Sequence, residues 1–446
     1  MNIVLPQQIR LVLDSLEQSG YSAQLVGGCV RDCLLGKSCD DWDITTNASP
    51  EQICAVFADR KLLMHGIKHG TVTVVIDKKP IEITTYRRDG DYSDNRHPDE
   101  VLFTSELRED LSRRDFTVNA MCYNEKDGLT DLFGGREDLN AGIIRTVGDA
   151  DTRFNEDALR IMRALRFASV LGFNIEPDTA LSLHKNRQLL KNISAERLFS
   201  ELKKLVTGRD ACRILLEYGD VLGVFIPDIL PAIGFEQYGK KHCYTVWEHI
   251  CHTVGSIEPD NVLRLTMLLH DLGKVPTAAR NAAGDSTFTD HAAVGAKMAA
   301  QTLTKLHSDT ATLKAVVFYI EKHDFEIPVT LPDTRRLLSA VNAVQLKNLL
   351  LIKTADRGAL APEYRDVSAK CAAAREYIAQ IERESLCCTL SQLAINGNDL
   401  LKAGFTGEHV GSTLNALLEA VINEQCPNTK SDLLRLAQTQ KADITQ

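Results

Sequence analysis

The apolar positions of this chain change period along its length. Ile9, Val12, Leu13 and Leu16 recur at helical spacing, and Leu25-Val26 reads as the end of a short strand. Ser49-Pro50-Glu51-Gln52 has the form of a capping box with proline at the first helical position, which predicts a helix start. Thr71 to Ile76 alternates, and Ile81 to Tyr86 alternates again with Glu82 between two isoleucines, so two strands are expected, with the Glu82 carboxylate on the face away from them. Asp91 to Ser112 is polar and aperiodic and is expected to form a mobile loop. From about residue 150 the pattern is helical almost throughout, with stops at Gly208, Pro227, Pro231 and Pro259. On the helix expected near Glu156, that residue, Asp157, Arg160 and Arg163 fall on one side, and Leu159, Ile161, Met162 and Leu165 on the other. The acidic residues would sit in its first turn, where the helix dipole favours them.

A chain of 446 residues, 44% hydrophobic and 25% charged, suggests two to four soluble domains. No apolar run approaches the length of a membrane span, and the N-terminus lacks the basic and apolar regions of a signal peptide, so a cytoplasmic protein is expected. The 12 cysteines are scattered without a Cys-x-x-Cys, which fits reduced thiols. A net charge of −9 argues mildly against general nucleic-acid binding. A local block overrules it: Arg145, Arg153, Arg160, Arg163, Arg166, Lys185, Arg187, Lys191, Arg197, Lys203, Lys204 and Arg209 concentrate positive charge in an acidic chain. One such face suffices for phosphate contacts.

The candidate chemistry starts at Leu25-Val26-Gly27-Gly28-Cys29-Val30-Arg31-Asp32, followed by Asp41-Trp42-Asp43-Ile44. Gly27 and Gly28 let backbone amides approach a triphosphate, and Arg31 would open the following helix. On a strand, Asp41 and Asp43 would emerge from one face, where two carboxylates can hold two Mg²⁺ ions, with Glu82 as the third carboxylate. Such a set activates a 3′-hydroxyl and neutralises leaving pyrophosphate, which is the logic of nucleotidyl transfer.

These segments, with Arg113-Arg114-Asp115-Phe116-Thr117-Val118-Asn119-Ala120 and the run from Glu156 to Phe167, resemble in order the motifs of class II CCA-adding enzymes and bacterial poly(A) polymerases. The resemblance covers about the first half of the chain. It implies an α+β fold, with a polymerase-β-like nucleotidyltransferase head at 1–140, then an all-α arrangement of neck and RNA-binding body at 141–239. It further implies that Arg113, Arg114 and Asp115 meet ribose and phosphate groups, that Asn119 supports their turn, and that Gly134-Gly135 is a hinge. Asp157 and Arg160 would read the incoming base, with Arg163 beside them. Cytosine and adenine both offer an exocyclic amine beside a ring-nitrogen acceptor, so carboxylate plus guanidinium matches these two bases without a nucleic-acid template.

A second resemblance begins at Leu268-Leu269-His270-Asp271-Leu272-Gly273-Lys274, which is similar to the HD phosphohydrolase superfamily. His249, His291, His323 and Asp356 follow the family order, with His242, His252 and Asp324 as spare candidates. An HD domain is expected over 240–360 and a helical C-terminal region over 361–446. Imidazole and carboxylate ligands suit Ni²⁺, Mn²⁺, Fe²⁺ or Zn²⁺. The resemblances imply an enzyme that adds CCA to tRNA from CTP and ATP. A poly(A) polymerase, an enzyme adding only A or only CC, and an HD phosphohydrolase with an RNA-binding head are the alternatives.

Overall fold

A computed structural model describes residues 3–90 and 101–445. The chain divides into two compact units, one of residues 1–233, 259–261 and 301–310, the other of 234–258, 262–300 and 311–446.

The first unit opens with helix α1 (Gln7–Gln18), which buries Ile9, Val12, Leu13 and Leu16 as the spacing predicts. Strand β1 (Ala23–Val26) leads into α2 (Gly28–Leu34), and β2 (Asp43–Thr46) into α3 (Pro50–Val56). The capping box forms: Ser49 accepts from the Gln52 amide at 3.3 Å, and Gln52 Oε1 accepts from the Ser49 amide at 2.8 Å. Strands β3 (Lys61–Leu63), β4 (Thr71–Ile76) and β5 (Lys79–Thr85) follow. A separate ribbon pairs β6 (Arg87–Asp89) with β7 (Val101–Phe103), after which come α4 (Leu107–Ser112), β8 (Met121–Asn124) and β9 (Gly128–Asp131). The main sheet runs β3-β4-β5-β2-β1-β8-β9. Only its central β2–β5 pair is parallel, and it sets Asp43 opposite Glu82.

The segment from Asp91 to Ser112, expected to be a loop, contains two regular elements. Residues 101–103 pair with β6 and 107–112 are helical, while residues 91–100 lie outside the described residues. Polarity misleads here because α4 packs through two positions, Asp110 and Leu111, both buried.

Helices α5 (Gly135–Ala141), α6 (Ala150–Glu156), α7 (Leu159–Leu171), α8 (Pro177–Asn186), α9 (Ala195–Val206) and α10 (Ala211–Leu222) complete this unit. The helix expected through Glu156 and Asp157 is in fact two. Asp157 is extended (φ −133°, ψ 102°), and its carboxylate accepts from the Leu159 amide at 3.1 Å, a local bond that competes with helix continuation. Glu156 therefore ends α6 rather than opening α7. Leu159, Ile161, Met162 and Leu165 are buried as expected, and so is Arg160. Gly208 follows α9 because α7 and α9 pack closely there: a Cβ at Gly208 would lie 2.1 Å from Ser169 Oγ.

The second unit contains α11 (Val246–Ser256), α12 (Asn261–Leu269), α13 (Lys274–Thr277), α14 (His291–Lys305), α15 (Thr310–Lys322), α16 (Leu331–Ala340), α17 (Ala343–Gly358) and α18 (Ser368–Glu384). Further helices follow to residue 445, around a core that includes Leu400, Leu417 and Leu433. Among the described residues no helix is long and apolar enough to cross a membrane.

Candidate active site and metal cluster

Gly27 adopts a left-handed φ of 82°, and a side chain there would meet Arg114 Nη1 at 3.1 Å and Asp43 Oδ2 at 4.0 Å. The turn thus brings backbone, guanidinium and carboxylate together, and only glycine leaves the room. The Asp43 carboxyl is half-buried; burial first, then the charges of Asp41 and Glu82, push its pKa up to about 6 against the opposing pull of Arg114. This concentration of uncompensated negative charge fits a divalent cation. Asp41 precedes β2 and is exposed, so it shares no strand with Asp43. Glu82 is exposed between buried Ile81 and Ile83, on the face the alternation predicts.

Behind the carboxylates lies a residue that the motif reading missed. Asp110, fully buried on α4, accepts from Arg113 Nη2 at 2.7 Å and Thr45 Oγ1 at 3.1 Å, and lies 3.5 Å from Arg114 Nη2. Burial raises its pKa, and Arg113 and Arg114 overcome this to hold it below the usual carboxylate range. Its signal was present, since Asp110 stands three and four residues before the arginine pair, at helical contact spacing.

Arg31 lies within α2 rather than opening it; its Nη1 donates to Asn119 Oδ1 at 2.6 Å and its Nε to Asp32 at 2.9 Å. Asn119 in turn donates to Asp115 Oδ1 at 3.1 Å, and Arg163 Nε donates to Asp115 Oδ2 at 2.7 Å. Burial opposes ionisation of Asp115, but Arg163, Asn119 and Arg160 bring its pKa down to about 2. Arg160 donates to Glu156 at 2.6 Å and to the Arg113 carbonyl at 2.9 Å, which joins α7 to the arginine pair. Asp157 faces Arg197 at 3.5 Å. Asp157 and Arg160 thus engage different partners in this structure. Gly135 is packed rather than free: a Cβ there would lie 2.2 Å from the Thr117 carbonyl oxygen.

The second unit gathers ligand atoms more tightly. His249, His270, Asp271 and Asp356 place candidate atoms within 4.8 Å of one another, and Asp271, His291 and His323 form a second such group; among the described residues only these two clusters do so. Each histidine directs Nδ1 at a carbonyl oxygen: His249 to Ala359 (3.2 Å), His270 to Met267 (2.8 Å), His291 to Phe288 (2.8 Å) and His323 to Ile320 (2.6 Å). A carbonyl only accepts, so Nδ1 of each donates; His249 Nε2 faces Asp356 Oδ1 at 3.1 Å, and each Nε2 can ligate a metal once it carries no proton. His270 Nε2 and Asp271 Oδ1 are buried without a hydrogen-bond partner, which fits a cation between them. Burial works against charge on His270, but Asp271 and Asp356 outweigh it and push its pKa up to about 9. Lys274 Nζ sits 2.6 Å from Asp271 Oδ2. The spare candidates stand apart from these groups: His252 stacks on Tyr244, Asp324 pairs with Lys353 at 3.1 Å, and His242 packs against Phe288.

Known proteins match this arrangement along the whole chain. The Poly A polymerase head domain matches residues 23–145, the "Probable RNA and SrmB- binding site of polymerase A" residues 172–231, the HD domain 240–360, and domain 2 of tRNA nucleotidyltransferase 352–437. A CCA-adding enzyme of Geobacillus stearothermophilus is 44% identical over 263 residues, 57% of this chain and 64% of that protein. For the first seven such relatives the matched segment spans 52–65% of their own length. The CCA-adding enzyme of Lactiplantibacillus plantarum is 32% identical over 439 residues, 97% of this chain and 95% of that protein. Among solved structures, the Bacillus stearothermophilus CCA-adding enzyme in complex with CTP covers 99% of both chains with a TM-score of 0.72 and 30% identity. The Thermotoga maritima CCA-adding enzyme complexed with tRNA shares the fold, with a TM-score of 0.64 at 21% identity over 98% of this chain and 97% of that one. With a polymerase-type head, an RNA-binding segment, an HD domain and a relative aligned almost end to end, the chain belongs to the family of CCA-adding enzymes.

Proposed function

We propose that this protein adds C, C and A to the 3′ end of tRNA, using CTP and ATP without a nucleic-acid template. The observation that carries the reading is the meeting of Asp43, Glu82, Arg114 and the Gly27 turn at the central β2–β5 pair of the sheet. Asp41 and Asp43, with Glu82, are the residues that would hold Mg²⁺, which supplies charge neutralisation at the triphosphate and a lowered pKa for the attacking 3′-hydroxyl. The chain's own groups orient the reactants. Gly27 and Gly28 leave space for phosphates, Arg113 and Arg114 are aimed by Asp110, and Asn119 and Arg163 hold Asp115 ionised and fixed, with Arg31 bonded to Asn119. Asp157 and Arg160 are the proposed base readers. Arg160 must exchange its bonds to Glu156 and the Arg113 carbonyl for the base, which ties base recognition to the position of the arginine pair.

The matching divisions are a nucleotidyltransferase head at 1–140, neck and body at 141–239, an HD domain at 240–360 and a C-terminal helical region to 446, in a cytoplasmic enzyme. The test is incubation with tRNA lacking its terminal CCA, with CTP and ATP offered singly and then together. CTP alone should give two additions, and both nucleotides three. A alone added, with CTP inert, overturns the reading in favour of poly(A) synthesis.

A second activity is favoured by the inward Nε2 atoms of the second unit. His249, His270, Asp271, His291, His323 and Asp356 would hold Ni²⁺, Mn²⁺, Fe²⁺ or Zn²⁺, which supplies Lewis-acid activation for phosphoester hydrolysis. A 2′,3′-cyclic phosphate on a damaged RNA end is the proposed substrate class. Hydrolysis supported by Ni²⁺ or Mn²⁺ and lost in a His270→Ala, Asp271→Ala variant is expected; no bound metal and no hydrolysis in any condition would contradict it.

A further inference from the structure

A cavity of about 380 Å³ opens in the first unit between α2, α7, α9 and the turn at 207–209, and four cations line it with no carboxylate among its lining residues. Arg31 and Arg166 form its buried floor, and Lys204 and Arg209 its exposed rim. Phe167 is covered by guanidiniums, with Arg166 at 4.0 Å and Arg31 at 5.0 Å from its ring centre, so its face is closed to a stacking base. Arg31 is neutralised by Asp32 and Arg166 by Glu201, both at 2.9 Å. Lys204 Nζ has no ion-pair partner among the described residues, and Arg209 donates only to the Leu171 carbonyl oxygen there, with no carboxylate beside it. Positive charge is therefore left over at the rim. Burial, together with the charges of Arg163 and Arg31, lowers the pKa of Arg166 against the pull of Glu201, so an anion in the cavity would relieve like-charge repulsion.

We propose that this cavity holds a backbone phosphate of the RNA strand being extended. The proposal rests on the reading of the protein as an RNA 3′-end nucleotidyltransferase and adds to it an RNA-positioning site. A nucleoside triphosphate fits less well, because the cavity offers no carboxylate for its metal and no open aromatic face for its base. One phosphate of a continuing strand needs neither: the rim cations meet its charge, and the strand leaves through the open side. Arg31 also links the cavity to the head, since its guanidinium reaches Asn119 and, through it, Asp115. A phosphate seated here would fix the RNA relative to those groups.

The test uses the full chain and compares wild type with Lys204→Glu, Lys204→Ala and the conservative Lys204→Arg. Equilibrium binding of tRNA lacking its CCA end is measured over a salt series, alongside KM and kcat for CTP incorporation. Lys204 is exposed on α9, so thermal unfolding should be unchanged and report that each variant folds. Lys204→Glu is expected to weaken RNA binding and raise the RNA KM by roughly tenfold, with Lys204→Ala intermediate and Lys204→Arg near wild type. The slope of log affinity against log salt should become shallower by about 0.7 to 0.9 in the alanine variant, the loss of one phosphate contact. The CTP KM and kcat at saturating RNA should stay within about twofold. An equal rise in the CTP KM would mean the cavity serves the nucleotide, and unchanged RNA affinity and salt slope would mean it binds no phosphate; either overturns the proposal. Because binding is read without turnover, a wild-type protein that binds RNA with this signature yet adds no nucleotide would sink the nucleotidyltransferase reading while leaving the phosphate site standing.

Discussion

At the residue scale the head depends on carboxylates with opposite tasks. Asp43 is raised to about 6 by burial and like charge, whereas Asp115 is held down to about 2 by Arg163, Asn119 and Arg160 despite its burial. Asp43→Ala should therefore cut nucleotide addition by at least about a thousandfold with RNA binding retained, because metal and charge act on chemistry more than on docking; parallel kinetics and binding measurements check this, and equal loss of both would make Asp43 a structural residue. For Asp115, a depressed folded pKa means the carboxylate stabilises the fold fully above the unfolded value near 4, and this stabilisation is lost as pH falls toward 2. Relative to Asp115→Asn, wild type should gain about 2 kcal/mol at pH 7 and about half of that at pH 3, as read by urea unfolding. Asp110 shows why residue roles were only partly legible. The Gly27-Gly28 turn and the outward face of Glu82 are legible from local spacing, whereas Asp41, which the same reasoning puts on one strand with Asp43, precedes that strand. Asp110 stands at helical spacing from Arg113 and Arg114, but its bond to Thr45, 65 positions away in the chain, is recorded by no local period.

At the element scale, alternation and capping chemistry marked β4, β5 and the start of α3, since each is a local pattern. The break at Asp157 was hidden, because one side-chain bond to the Leu159 amide ends a helix whose apolar periodicity continues. That break places Asp157 at the junction of α6 and α7, where its carboxylate can turn toward a base without unwinding a turn of helix. Asp157→Ala should relax base choice, raising incorporation of U or G relative to C by roughly ten- to a hundredfold as the amine of C or A loses its acceptor. Competition assays with all four nucleotides measure this, and unchanged discrimination would remove Asp157 from base reading. The Gly134-Gly135 pair makes a different point. The left-handed φ of 76° at Gly134 and the contact of Gly135 with the Thr117 carbonyl describe a packed joint between α5 and the turn carrying Asn119. Gly135→Ala should destabilise the head by about 1 to 3 kcal/mol through overpacking, visible as a lowered Tm; no loss of stability would show that the joint yields.

At the scale of the whole molecule, two constellations of different chemistry share one chain. The head offers carboxylate oxygens, which suit Mg²⁺, and the second unit offers imidazole nitrogens with carboxylates, which suit a transition metal. They should be separable: the His270→Ala, Asp271→Ala variant is expected to keep nucleotide addition within about twofold while losing metal and hydrolysis, because both changes lie in the second unit. Addition lost as severely as hydrolysis would make the HD cluster part of the polymerising machinery. The chain's acidic total of −9 gives no hint of the proposed RNA partner, since it averages over faces, whereas the basic block and the cavity beside α7 are local. The central claim, template-free synthesis of CCA at the head, is tested most directly by sequencing the 3′ ends made on a tRNA lacking its last three nucleotides, with Mg²⁺ and all four nucleoside triphosphates present. The account predicts C, C and A followed by arrest, with no extension by Asp43→Ala; a run of A, or a product of mixed bases, would contradict it.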